Sequence, residues 1–323
     1  MSIEAVTTAL TTALAHGGEP RAGGTDVMAR RGVGRATGPF VDLGVVPGMR
    51  GIEWRPDGSV RIAAMTTVAE VAVELRDAYP ALAATAGALA TPQIRAVATI
   101  GGNLLQRNRC WYYRNPAFSC FQSGGDGCPA REGDHLYSVV IDESPCVAPH
   151  PSSMAVALLA CDAKVEVHGR DAVPVAELYS DDPSHDHQLA AGEVLLAVVL
   201  PPPFATEHGS YHRAIARAHA EWPLVEAVAR LELDQDGVIT AAGVAVGGVA
   251  RTPLRLPEVE AALVGAHADE DTLVAAARLA EQRCTPLPGT KYKVTLLVDT
   301  VLEVLARASG VPCDIRDHAR RAD

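Results

Sequence analysis

No apolar run in the 323-residue chain reaches the roughly 18 to 20 residues that a bilayer-crossing helix needs, so no membrane span is expected. Its first residues, Met1-Ser2-Ile3-Glu4, have neither a basic start nor an apolar stretch, so no secretory signal is expected. Positive charge is scarce: 28 Lys and Arg stand against 39 Asp and Glu, a net charge of −11. That balance, with no basic stripe, excludes a general nucleic-acid binder. The cysteines number seven, and none stands in a paired C-x2–4-C knuckle. An odd count argues against a disulfide scaffold, and the missing knuckles argue against an ordinary structural zinc site. A dinucleotide fingerprint is absent too. Gly32-Val33-Gly34 begins one, but Thr37 occupies the final position and only Met28-Ala29-Arg30-Arg31 precedes it, so the stretch reads as an exposed basic loop. No Ser-His-Asp or paired-carboxylate arrangement stands out, as expected where cofactors carry the chemistry.

What remains is an ordinary globular composition, 48% hydrophobic, long enough for two cores. Ile3, Val6, Leu10 and Leu14 recur at helical spacing up to Gly17-Gly18. Residues 52–54 and 60–62 flank Pro56-Asp57-Gly58 as a hairpin. Helices are expected over Val68–Leu75, about 80–90 and 152–160, then a hairpin through Val165 and Val167 and a strand at 194–200. Pro201-Pro202-Pro203 is the best boundary. Beyond it come three strands in 210–248, turning at Gln235-Asp236-Gly237, and helices near 257–264, 269–283 and 291–307. The order predicts an α+β protein with units at 1–203 and 204–323.

Two glycine loops, Arg21–Asp26 and Thr99–Asn103, suit one extended anion such as a pyrophosphate. A glycine pair lets backbone N–H groups turn inward with no side chain in the way. The hydroxyls of Thr25 and Thr99 and the amide of Asn103 add donors. Between the second loop and the helix at 152, residues 107–147 show no period, and a long unpatterned stretch within a domain points to function. It holds Cys110, Cys120, Cys128 and Cys146, separated by nine, seven and seventeen residues. Four thiolates so widely spaced suit a 4Fe–4S cluster better than a single ion. Arg107, Arg109, Arg114 and Arg131 would offset the cluster's negative charge, against acids of which Asp126 is the one set between the cysteine pairs. Trp111, Tyr112, Tyr113, Phe118 and Phe121 would shield it, or simply pack a loop without regular structure. Cys161, Cys284 and Cys313 read as plain thiols. His185-Asp186-His187, among Asp181, Asp182 and Gln188, reads as a solvated acidic turn rather than a metal site.

These motifs carry a resemblance. Arg21–Val27, Thr99–Leu104, His150-Pro151-Ser152, Tyr211-His212-Arg213, Val246–Ala250 and Tyr292-Lys293 resemble the FAD-binding subunits of the xanthine dehydrogenase (molybdenum hydroxylase) family. The cysteine insertion resembles the medium subunits of periplasmic aldehyde oxidoreductase and 4-hydroxybenzoyl-CoA reductase, whose loop carries a 4Fe–4S cluster. The resemblance implies a two-part FAD-binding domain of the vanillyl-alcohol oxidase/p-cresol methylhydroxylase type, then a carbon monoxide dehydrogenase flavoprotein-like C-terminal domain. It implies FAD held by Pro20, Arg21, Ala22, Gly23, Gly24, Thr25, Asp26, Val27 and Met28, and from the other side by Thr99, Gly101, Gly102 and Asn103. Ser152, Ser153, Leu196 and Arg213 match further flavin positions; the family usually has Asp where Ser153 stands, and Arg213 aligns with a flavin-side lysine.

The implied role is electron transfer. Electrons leave a substrate at a large molybdenum-cofactor partner, pass through 2Fe–2S clusters of a small partner to FAD here, and go on to an external acceptor. Aldehydes are favoured substrates, by the likeness of the cysteine loop. The implied compartment is the cytoplasm, where iron–sulfur clusters are assembled, unless a partner bears a twin-arginine export signal. Two other readings stand beside it: a self-contained flavin oxidase of the same fold, and a zinc-stabilised binding protein without a redox role.

Overall fold

The computed structural model describes residues 3–15, 17–190, 192–216 and 221–313; Met1 and Ser2 and the last ten residues of the C-terminal unit lie outside them. The chain begins with α1 (Ile3–Leu14), then β1 (Glu19–Arg21), α2 (Val27–Gly32) and β2 (Phe40–Asp42), with β1 and β2 paired in parallel. The hairpin β3 (Ile52–Trp54) and β4 (Val60–Ala63) leads into α3 (Val68–Glu74), α4 (Pro80–Ala88), α5 (Pro92–Arg95) and α6 (Ile100–Leu104). Helix α3 starts at a capping box in which Thr67 and Glu70 satisfy each other's backbone N–H. The cysteine segment contains only α7 (Trp111–Arg114) and short 3-10 turns. Then follow α8 (Ser153–Ala160), β5 (Lys164–Val167), β6 (Val173–Pro174) and β7 (Leu195–Leu200). The last part is β8 (Glu207–Ala214), β9 (Val225–Leu233), β10 (Ile239–Gly247), β11 (Leu254–Arg255), α9 (Pro257–Leu263), α10 (Glu270–Arg278) and α11 (Tyr292–Ser309). No helix among the described residues is long and apolar enough to cross a membrane.

The first half carries a five-stranded antiparallel sheet in the order β3-β4-β7-β5-β6, and the second a four-stranded one, β11-β10-β9-β8. Strand β9 is covered on both faces, and its alternation sorts residues between them. Val225, Ala227, Ala229 and Leu231 join Leu297, Val301, Val304 and Leu305 of α11 in one core. Val228 belongs instead to the core of the first half, with Tyr79, Leu82, Ile100, Met154 and Val156.

All eight residues of α8 are buried, and three glycines let the second sheet reach the helices. A Cβ at Gly243 would stand 2.4 Å from the Ala160 carbonyl oxygen, and one at Gly247 2.5 Å from Val156. One at Gly209 would stand 2.6 Å from the Ala81 nitrogen. Buried Arg230 closes the same seam, ion-paired with Glu207 at 2.6 Å and donating to the Ala160 carbonyl.

Two expectations change. The second glycine motif is not a loop: Thr99 caps α6, and Ile100, Gly101, Gly102 and Asn103 form its first turns. The basic stretch before Gly32 is helix α2 rather than an exposed loop, and Arg30 is buried there between Glu19 and Asp26.

Candidate cofactor sites

Strand β1 delivers Ala22–Asp26 to the edge of a cavity of about 330 Å³. Helix α6 faces it. The two motifs touch: a Cβ at Gly102 would sit 3.0 Å from the Thr99 hydroxyl and 3.3 Å from the Ala22 methyl. At Gly23 it would overlap the Val97 carbonyl oxygen, only 1.8 Å away, and Gly24 has φ +76°, the left-handed region that favours glycine. The cradle therefore depends on side chains being missing, which fits an extended anion lying against backbone. Thr99 uses its hydroxyl to accept from the Gly102 N–H at 3.1 Å, so one lone pair is already committed to the cap.

Of the expected flavin residues, Pro20, Arg21, Ala22, Gly23, Gly24, Thr25, Asp26, Val27, Thr99, Gly101 and Gly102 line this one cavity. Met28, Asn103, Ser152, Ser153, Leu196 and Arg213 do not. Met28 is exposed. Ser152 caps α8 and donates to the Asn103 side-chain oxygen at 2.7 Å. Leu196 is buried in β7, its carbonyl accepting from Ala64. Arg213 donates to the Glu221 carbonyl. Ser153 is buried against Glu226, which also accepts from the Tyr211 hydroxyl at 2.7 Å. Burial raises the Glu226 pKa, so a buried acid from the second sheet stands beside the position where the resemblance leads one to expect Asp. Nothing in the local sequence pairs residue 153 with 226; the packing of α8 against β9 does.

The sequence reading also passed over the far wall of the cavity, from His187 and Leu189 to Val194 and Leu195. The expectation of a solvated turn at 185–187 is overturned. Asp186 is buried and ion-paired with Arg107 and Arg251, each at 2.7 Å, and it also accepts from Asn108. Burial alone would raise its pKa, but the two guanidinium groups outweigh it and hold the carboxylate ionised. Burial pushes His187 down to about 4, helped by Arg107, so it is neutral near pH 7.

The four cysteines Cys110, Cys120, Cys128 and Cys146 line a second, tightly closed recess of only about 10 Å³, together with Tyr112, Tyr113 and Phe121. Among the described residues no group of three His, Cys, Asp or Glu side chains is close enough to hold a metal ion, so the thiols ring the recess without converging on a point. The Cys146 thiol hydrogen-bonds Cys128 and holds its pKa down, whereas burial raises that of Cys110. Trp111 and Phe118 stay exposed and shield nothing here. Cys110 also lines a larger cavity of about 770 Å³ walled by Trp111, Tyr137 and Trp222, with the Arg109 guanidinium 4.5 Å above the Trp222 ring.

The arginines do not surround the thiols as free cations. Arg107 pairs with Asp186, Arg109 and Arg114 with Asp26, and Arg131 with Asp142. Asp26 and Asp186 are remote in sequence, and Asp142 lies within the segment itself, which is why the local reading overstated the excess. A smaller excess survives locally: Arg30, Arg107, Arg109, Arg114 and Arg251 share Glu19, Asp26 and Asp186, five guanidinium groups on three carboxylates.

Comparison with known proteins places the whole chain. The family profile "FAD binding domain in molybdopterin dehydrogenase" matches residues 2–203, and "CO dehydrogenase flavoprotein C-terminal domain" matches 210–308. The chain is 35% identical over 273 residues to the aldehyde oxidoreductase FAD-binding subunit PaoB of Escherichia coli, covering 81% of this chain and 82% of that one. It is 26% identical to the 6-hydroxypseudooxynicotine dehydrogenase complex subunit alpha of Paenarthrobacter nicotinovorans, covering 83% and 79%. Among solved structures it superposes on carbon monoxide dehydrogenase from Hydrogenophaga pseudoflava with TM-score 0.73 at 21% identity, covering 94% of each chain. On quinoline 2-oxidoreductase from Pseudomonas putida 86 the TM-score is 0.70 at 21% identity, covering 96% and 94%.

Proposed function

Because the chain belongs to the FAD-binding subunits of the molybdenum hydroxylases, we propose that it is the electron-relay subunit of such a complex. It would take electrons from the 2Fe–2S clusters of a small partner, fed by a large molybdenum-cofactor partner, and pass them to an external acceptor. The observation that carries this is the side-chain-free cradle where Ala22–Gly24 meets Gly102. Bound there, FAD supplies the exchange between one- and two-electron chemistry. The chain's own part is to hold the pyrophosphate on the backbone of both glycine motifs. Residues 1–203 serve as the FAD unit and 204–323 as the C-terminal α+β unit, whose Trp222 lines the larger cavity. The aromatic walls of the larger cavity suit a planar conjugated ring. The similarity to an aldehyde oxidoreductase subunit favours aldehydes as substrates of the whole complex.

The finer reading adds a 4Fe–4S cluster on Cys110, Cys120, Cys128 and Cys146. This reading is supported by the four thiols lining one recess, as widely spaced ligands of a cluster would. A lone zinc ion, with bonds of about 2.3 Å, needs convergence.

The visible spectrum of the purified protein tests both levels. Flavin bands with a broad iron–sulfur shoulder are expected; flavin alone would remove the cluster, and a colourless protein would remove both. Gly24→Val and Gly102→Val should each lose flavin while keeping most secondary structure, because the added groups strain a positive φ or fill the cradle. Flavin at wild-type content in both would show that these motifs do not hold it.

A further inference from the structure

Asp26 lies in the wall of the glycine cavity, where a carboxylate by itself would repel a pyrophosphate. Both its oxygens are occupied. Oδ2 accepts from Arg30 Nε at 3.0 Å and from the Arg107 backbone N–H at 3.2 Å. Oδ1 accepts from Arg109 Nη1 at 2.5 Å and from Arg114 Nη2 at 2.9 Å. Arg109 immediately precedes Cys110, and Arg114 ends the short helix that Cys110 caps. Three of the four donors thus belong to the start of the cysteine segment, more than 80 residues along the chain from Asp26. Arg35 ties the same segment to the end of α2 by donating to the carbonyls of Tyr113, Asn115 and Phe118.

We propose that Asp26 is a positioning residue that couples the two cofactor sites, so that FAD binds well only when the cysteine segment is in place and the segment is held better when FAD is bound. The idea rests on the FAD reading above. Asp26 fixes the last residue of the glycine loop against Arg109 and Arg114, and these arginines turn a repulsive wall into a net positive one. By linkage, the same factor must appear from either side.

Two roles predict opposite signs for Asp26→Asn. If Asp26 merely lines the cavity, removing its charge tightens FAD; if it anchors the loop, FAD weakens. The FAD dissociation constant of the full chain is measured by flavin fluorescence for wild type, Asp26→Asn, Arg109→Gln/Arg114→Gln, and the combination. Iron is recorded on the same samples. Asp26→Asn is expected to weaken FAD roughly ten-fold in the wild-type background and not to weaken it further once Arg109 and Arg114 are gone. Tighter binding in Asp26→Asn, or equal weakening in both backgrounds, overturns the proposal.

The reciprocal arm needs no bound metal. In iron-free protein, added FAD should slow the reaction of the cysteine thiols with a thiol reagent, and Arg114→Gln alone should abolish that protection. Thiols indifferent to FAD would overturn the coupling. Absence of iron from every sample would remove the cluster while this arm still decides.

Discussion

The C-terminal sheet with α11 and the cysteine segment are held together by opposite means. In the first, Leu297, Val301, Val304 and Leu305 are fully buried against alternating residues of β9, and the apolar pattern of each element suffices to position it. The second has a small core of its own, Ala130, Val139 and Val147, and lends only Val140 and Ile141 to the C-terminal core. It is fixed instead by arginines on Asp26, Asp186 and Asp142. It is also sewn to the C-terminal part: Thr285 donates to the Val140 carbonyl, Gly289 to His135, and Tyr292 to the Leu136 carbonyl. A core tolerates approximate shape, but a polar clasp fails when one partner is lost.

The largest effect should come from the thiols. Serine at any one of Cys110, Cys120, Cys128 or Cys146 should drop iron and acid-labile sulfide well below four of each per chain, whereas Cys284→Ser should leave both unchanged. Zinc in place of iron in anaerobically purified protein would break the contrast, because the segment would then be an ordinary closed metal site.

Next come single side chains in each region. Asp186→Ala leaves buried Arg251 and half-buried Arg107 without their carboxylate and should cost about 3–5 kcal/mol, with early proteolysis confined to the cysteine segment. Leu305→Ala should cost about 2–5 kcal/mol but lower the whole unfolding transition together. Denaturation with parallel limited proteolysis separates them. Global loss in Asp186→Ala with no early cleavage would mean that the segment is not a separate clasp.

The smallest effect is a slope. Lys293 is buried and donates to the carbonyls of Gly248 and Tyr137, joining the two regions. Burial pushes its pKa down from 10.5 to about 7. Between those pH values the unfolded chain binds a proton that the folded chain does not, so this residue makes stability rise with pH across that window. Lys293→Met should flatten the rise, read from denaturant midpoints at pH 7 and pH 10. An unchanged slope would place the ammonium in contact with water.

The same contrast explains what could be read from the chain alone. Helix α11, the β9–β10 hairpin and the β3–β4 turn follow from local period and turn chemistry, and the glycine motifs announce themselves because their function needs missing side chains. The cysteines were visible as a group because four of the seven fall in one stretch without period. The clasp was not. Arg107 and Asp186 stand 79 residues apart, and no period connects them. Asp186 sits among acids that resemble a solvated turn until Arg251 covers it. Glu226 was hidden likewise, because only the pairing of β8 with β9 and the packing of α8 on β9 place Tyr211 and Ser153 around it.

The seam of Gly209, Gly243 and Gly247 bears on how such chains can be recombined. The two halves read as modules in the family profiles, yet each meets the other where the sheet has no side chains and α8 has small ones. A C-terminal half taken from a relative would graft onto this N-terminal half only if its sheet is bare at all three positions. Alanine at Gly243 alone would wedge the Ala160 turn outward. Descent should therefore keep the halves as matched pairs, and a chimera that breaks the match should fail at assembly of the seam while each half retains its own pattern.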